Sequence, residues 1–144
     1  MGMQEIVINV CYGGFGLSAA GMQRYAEIKG LTLYLELNVV FPTMGPTYWL
    51  VPEPERVQPL PGAWSDNSLE DRRAYNDKYE SQVIYDRNID RDDPALVQVV
   101  NELGEAAGDK YAKLKVVEVP SDIHWTIEEY DGRERVEEVH HCWE

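Results

Sequence analysis

The sequence predicts an α+β protein, a single domain over residues 1–144 with a mixed or antiparallel sheet, two main helices on one face and a C-terminal β-hairpin. Three observations carry this. Short β-branched or alternating runs read as strands, two stretches place apolar residues at helical spacing, and the pair Asp131-Gly132 is the one a two-residue type I′ turn requires.

Taken in order, residues 5–10 (EIVINV) form a short β-branched strand that the following glycine cluster ends. Ser18 is placed to cap a helix from Ala19 to Lys29, with Leu17 as its hydrophobic staple, Met22, Tyr25, Ala26 and Ile28 on its apolar side and Gly30 as its stop. Residues 31–38 (LTLYLELN) alternate with period two, which predicts a strand with Leu31, Leu33, Leu35 and Leu37 on one face.

Residues 39–92 differ in kind, with prolines concentrated between Pro42 and Pro61 and a polar stretch after Ser65, and they read as a variable insertion within the domain. Within it, 47–51 (TYWLV) suits a strand, 52–62 an extended loop, and 68–81 a short exposed helix or ordered arm. The clearest helix starts at the cap Asp93 with Pro94 in its first position, and carries Leu96, Val99, Val100, Leu103 and Ala107 as a stripe up to Gly108. A strand over 112–120 and the hairpin over 124–139 complete the order.

A chain of this length buries roughly two thirds of its unfolded surface, enough for a core without disulfide staples. The 26 acidic against 13 basic residues leave a formal charge of −13, a field that repels nucleic acid and anionic membrane and attracts basic protein surfaces. Neither a signal segment nor an apolar run of membrane-spanning length is evident, so a cytoplasmic protein without membrane contact is expected. The two cysteines, Cys11 and Cys142, have no metal or redox spacing and read as free thiols.

The stretch NVCYGGFGLS, residues 9–18, carries the candidate site. A glycine loop between a strand and a helix lets backbone approach a ligand, and the helix N-terminus offers N–H groups to an anion. Gly13, Gly14 and Gly16 supply the permissive backbone, Ser18 a further donor, and Tyr12 and Phe15 two rings that could stack on a base. The spacing is neither G-x-G-x-x-G nor a Walker loop, so a dinucleotide or triphosphate site is not indicated, and the same glycines would equally serve a packing turn. Cys11 precedes the loop, but spacing reveals no activating base, so no catalytic residue, cofactor or metal is assigned.

Two-residue hairpin register pairs Tyr130 with Arg133, Glu129 with Glu134, Glu128 with Arg135, Ile127 with Val136 and Trp125 with Glu138. Glu129 against Glu134 is a like-charge contact. It is answered by an arginine of the protein, an arginine of a partner or a metal, or it relaxes apart in water. With Asp131, these carboxylates form a candidate partner-binding tip. The terminal His140, His141 and Cys142 lie near His124, but neighbours on a strand point to opposite faces, which works against a tetrahedral metal site, and Trp143 reads as an anchor for the tail.

The blocks IVINVCYGGFGLS, DRDDPALVQVVNELGEAAG and KLKVVEVPSDIHWTIEEYDGRERVEEVH together resemble a family of small tailed-phage and other viral proteins, with Val39 to Tyr85 outside the likeness and His141 where that pattern has arginine. The resemblance implies a phage origin and a place in the host cytoplasm, and small acidic phage proteins that are not structural often counter host defence or redirect a host enzyme. Two mechanisms fit. One is sequestration of a nucleotide-derived signalling ligand at Cys11, Tyr12, Gly13, Gly14, Phe15, Gly16 and Ser18. The other is an acidic inhibitor in which the hairpin, through Glu129, Asp131 and Glu134, and the polar middle arm mask a basic surface of a host defence protein, as a nucleic-acid mimic does. A nucleotide-modifying enzyme is a third reading, and self-association is left open.

Overall fold

A computed structural model describes residues 2–40 and 45–139. In chain order its elements are β1 (Met3–Asn9), α1 (Ala19–Lys29), β2 (Tyr34–Glu36), β3 (Thr47–Trp49), α2 (Leu69–Gln82), β4 (Val83–Ile84), α3 (Pro94–Leu103), β5 (Leu114–Pro120), β6 (Trp125–Tyr130) and β7 (Arg133–Glu138). The architecture is mixed α+β with antiparallel strand pairing and a C-terminal strand pair. The chain divides into two compact units, one from residues 1–30 and 86–144, the other from residues 31–85.

In the first unit β1 pairs antiparallel with β5, with Ile6 opposite Val117 and Asn9 opposite Leu114. The β-branched run does what its composition implies: Ile6, Val7 and Ile8 are buried, together with Met22, Tyr25 and Ala26 of α1 and Leu96, Val99 and Val100 of α3. Ser18 caps α1 as expected, its Oγ accepting from Gly21 N–H at 3.0 Å, and Gly30 closes the helix at φ 73°.

Asp93 both starts α3 and ties it to α1. Its carboxylate accepts from Ala95 N–H at 2.8 Å and from the Tyr25 hydroxyl at 2.7 Å, and pairs with Lys29 Nζ at 3.1 Å. Burial alone would raise this carboxyl, but those three donors outweigh it and hold it below its ordinary range. Burial and the same carboxylate push the Tyr25 phenol well above its usual value. The helix ends earlier than its apolar stripe suggests. Gly104 at φ 58° breaks the α-helix after Leu103, and residues 104–107 continue as a 3-10 turn that still buries Ala107.

The hairpin register is the expected one, from Trp125 opposite Glu138 to Tyr130 opposite Arg133. Asp131 at φ 50° and Gly132 at φ 88° give the two left-handed residues of a type I′ turn.

The second unit holds the antiparallel sheet β2-β3-β4 and α2. Its buried side chains are aromatic as much as aliphatic. Trp49 and Val83 are buried, Trp49 meets the edge of Tyr79 at 5.3 Å, and Tyr79 stacks with Tyr75 at 6.1 Å. The Arg56 guanidinium lies 4.9 Å from the Trp49 ring centre and pairs with Glu36 at 3.3 Å. The expected strand over 31–38 shrinks to three residues, and its leucine face is not covered, Leu35 being 52% and Leu37 68% exposed. Alternation fixes which side chains share a side, but not whether anything lies against it.

Candidate functional site

The glycine loop is held in place by a residue the motif did not single out. Asn9, fully buried at the end of β1, uses both amide hydrogens and both lone pairs of its side-chain carbonyl. Nδ2 donates to Cys11 O at 2.7 Å and to Gly132 O at 2.8 Å, while Oδ1 accepts from Cys11 N–H at 3.2 Å and Lys113 N–H at 2.9 Å. One side chain thus joins β1, the loop, the hairpin turn and the approach to β5. The signal for it is a single polar residue inside the β-branched stretch IVINV, residues 6–10, just before the glycines.

Asn9 N–H also donates to Glu134 Oε1 at 2.8 Å, and Arg91 closes on the same carboxylate with two bonds of 2.6 and 2.8 Å. The pair is the planar, two-pronged kind that fixes orientation as well as charge. An arginine of the protein itself therefore answers the like-charge contact across the hairpin. Glu134 is 8% exposed and turned inward, so it contributes nothing to an acidic surface. Glu129 accepts from Gly132 N–H at 3.1 Å, and Asp131 stands exposed in the turn.

Arg91 also sets the role of Phe15. Its guanidinium covers that ring at 3.6 Å from the centre, so this face is not free to stack on a base. Gly13, Gly16, Leu17 and Ser18 are likewise engaged within the chain. A Cβ on Gly13 would collide with the Tyr111 carbonyl, and one on Gly16 with the Asp109 carboxylate. Gly14 takes φ 89° with open space where a Cβ would stand. Leu17 N–H donates to Asp86 Oδ2 at 2.9 Å, and Ser18 Oγ, besides capping α1, donates to Ala106 O at 2.6 Å. The start of α1 thus meets the chain's own groups, carboxylates among them, and Gly13 and Gly16 serve close packing. Cys11 is a half-buried free thiol.

What the loop and hairpin do create is a cleft of about 730 Å³, lined by the apolar Ile8 and Val10 of the first strand and its end, by Tyr12, and by Glu128, Glu129, Tyr130, Arg133, Glu134 and Arg135 of the hairpin. Tyr12 is 59% and Tyr130 80% exposed. The Arg133 guanidinium lies 5.9 Å from the Tyr12 ring centre and forms no ion pair among the described residues. Arg135 bonds to Glu137 at 2.7 Å. Of the sequence-derived loop residues, Tyr12 alone lines this cleft. Tyr130, Arg133 and Arg135 line the cleft but are not singled out by the sequence, although the hairpin register sets Tyr130 opposite Arg133.

Among the described residues, no group of three or more His, Cys, Asp or Glu side chains is arranged to hold a metal, and no helix is long and apolar enough to cross a membrane. His140, His141, Cys142 and Trp143 lie outside the described residues. No protein-family model matches the chain, no curated protein is similar to it in sequence, and no solved structure matches its fold.

Proposed function

We propose that the chain is a small counter-defence protein of phage type that binds and sequesters a nucleotide-derived signalling ligand in the cleft between Tyr12 and the β6–β7 hairpin. The observation that carries this is the juxtaposition of apolar lining residues, two exposed tyrosines and a guanidinium that forms no ion pair among the described residues. Base-on-aromatic stacking contributes about 1–3 kcal/mol, and a guanidinium suits a phosphate. The net charge of −13 favours a short ligand over a nucleic acid, because a long polyanion meets the repulsive field along its whole length while a mononucleotide meets it once.

Phage origin rests on the resemblance of the loop, α3 and hairpin blocks. Compared with the glycine-loop expectation, the ligand moves from the start of α1 to the cleft beside Tyr12, since Asp86 already takes the Leu17 N–H and the Asp109 carboxylate packs against Gly16. The acidic-inhibitor alternative is weaker because Glu134, one of its three carboxylates, is neutralised by Arg91.

Calorimetric titration with nucleoside monophosphates and cyclic nucleotides tests the proposal. Saturable binding that falls in both Tyr12→Ala and Arg133→Ala supports it. No heat from any nucleotide at millimolar concentration, with the protein folded, overturns it.

A further inference from the structure

We infer that the base this cleft takes is guanine, read by the Glu128 carboxylate. The inference rests on the nucleotide reading above. Three carboxylates line the cleft, Glu128, Glu129 and Glu134. Glu134 is closed by Arg91 and Asn9 N–H, and Glu129 accepts from Gly132 N–H. Glu128 is the one left uncommitted. Its cross-strand neighbour Arg135 is bonded instead to Glu137 at 2.7 Å, and Glu128 forms no ion pair among the described residues.

A carboxylate offers two adjacent acceptor oxygens and no donor at neutral pH. It is satisfied by two parallel N–H groups on one edge. Guanine presents that pattern, N1–H beside the N2 amino group. Adenine and cytosine set a single amino group beside a ring nitrogen that is itself an acceptor, and uracil flanks its one N–H with two carbonyls. Those three bases would bring a lone pair against a Glu128 oxygen or leave one oxygen unanswered, and a site that offers hydrogen bonds rejects ligands that leave them unmade.

The geometry of the hairpin suits such a ligand. Glu128 and Tyr130 share a face of β6, with Arg135 and Arg133 opposite them on β7. Glu128 and Arg133 are therefore diagonal neighbours, with backbones about 7–8 Å apart before their long side chains extend. A base edge at Glu128 leaves the phosphate within reach of Arg133, with Tyr12 and Tyr130 flanking the rings.

The test is calorimetric titration of the full chain with GMP, IMP, AMP, CMP and UMP, for the natural sequence and for Glu128→Gln, with a thermal melt to show that the exposed substitution leaves the fold intact. GMP is expected to bind at least tenfold tighter than AMP, CMP or UMP. IMP, which keeps N1–H but lacks the amino group, should fall between. In Glu128→Gln the preference for GMP should vanish while AMP binding changes less than threefold. Equal binding of all the bases, or a GMP preference that survives in Glu128→Gln, overturns the guanine assignment and leaves nucleotide binding standing. Failure of every nucleotide to bind at millimolar concentration overturns both.

Discussion

Removing Arg91 tests the knot that positions loop and hairpin. Arg91→Ala deletes two charge-assisted bonds, of 2.6 and 2.8 Å, from a Glu134 side chain that is 7% exposed, and leaves Asn9 N–H as its one remaining donor among those described. It also uncovers the Phe15 ring. Breaking a buried pair from one side costs about 3–5 kcal/mol, because the surviving charge stays desolvated. The Arg91 side chain is itself 20% exposed, so water can reach the vacated space, and the lower end, about 3 kcal/mol, is expected. For a chain of this size that lowers Tm by roughly 6–12 °C. Urea denaturation of Arg91→Ala, Glu134→Gln and the double variant separates the pair from its parts. Glu134→Gln should cost less than Arg91→Ala, since glutamine still accepts from Asn9 N–H and the charge left behind, the Arg91 guanidinium, is the more exposed of the two. The double variant should be more stable than the sum of the two, with a coupling of about 1–3 kcal/mol. A loss below about 0.5 kcal/mol in Arg91→Ala, the scale of an ordinary surface change, would refute the reasoning.

Other expectations follow from single contacts. Gly132→Val combines φ 88° with a Cβ only 2.5 Å from Gly14 N and 2.7 Å from Tyr12 O, so it should cost about 3 kcal/mol or more in a thermal melt. Gly14→Ala, with the same sign of φ but open space, should cost only about 1–2 kcal/mol. Asp93 is held below its ordinary pKa in the folded state, so its contribution is present above the unfolded carboxylate value and lost as pH falls through the folded one. Asp93→Asn should therefore flatten the loss of stability below about pH 4, and an unchanged slope of stability against pH in that range counts against the α1–α3 tie. Tyr12→Ala should weaken nucleotide binding about 5- to 150-fold in calorimetry, the equivalent of one lost stacking contact, with the melting temperature little changed.

The parts of the fold legible in the sequence are those fixed by local chemistry. Ser18 and Gly30 bracket α1, Asp93-Pro94 starts α3, and a two-residue Asp-Gly turn leaves the hairpin one register, so every cross-strand pair follows. What local pattern does not contain is the distant partner. The glycines of NVCYGGFGLS were readable as a place where something comes close, but that something is Asp109, Tyr111 and Gly132, roughly a hundred residues further along the chain. The Glu129–Glu134 pairing was readable as a charge needing an answer. Its answer, Arg91, lies 43 residues away in sequence, at the polar end of the 39–92 stretch that reads as a variable insertion. The short β2 shows the opposite limit, since alternating leucines identify a side but say nothing about a covering neighbour. The cleft emerges only once loop and hairpin are set together, which is why Tyr130 and Arg133 read in the sequence as cross-strand neighbours and nothing more.

The most direct test of the central claim, that a nucleotide occupies the cleft between Tyr12 and the hairpin, is backbone NMR shift mapping during titration with GMP. Shifts concentrated at Tyr12, Glu128, Tyr130 and Arg133, with the α1 start at Leu17 and Ser18 moving less, are the predicted result. An unperturbed spectrum at millimolar nucleotide, or shifts gathered at residues 13–18 or in residues 31–85 while the hairpin stays still, would contradict it.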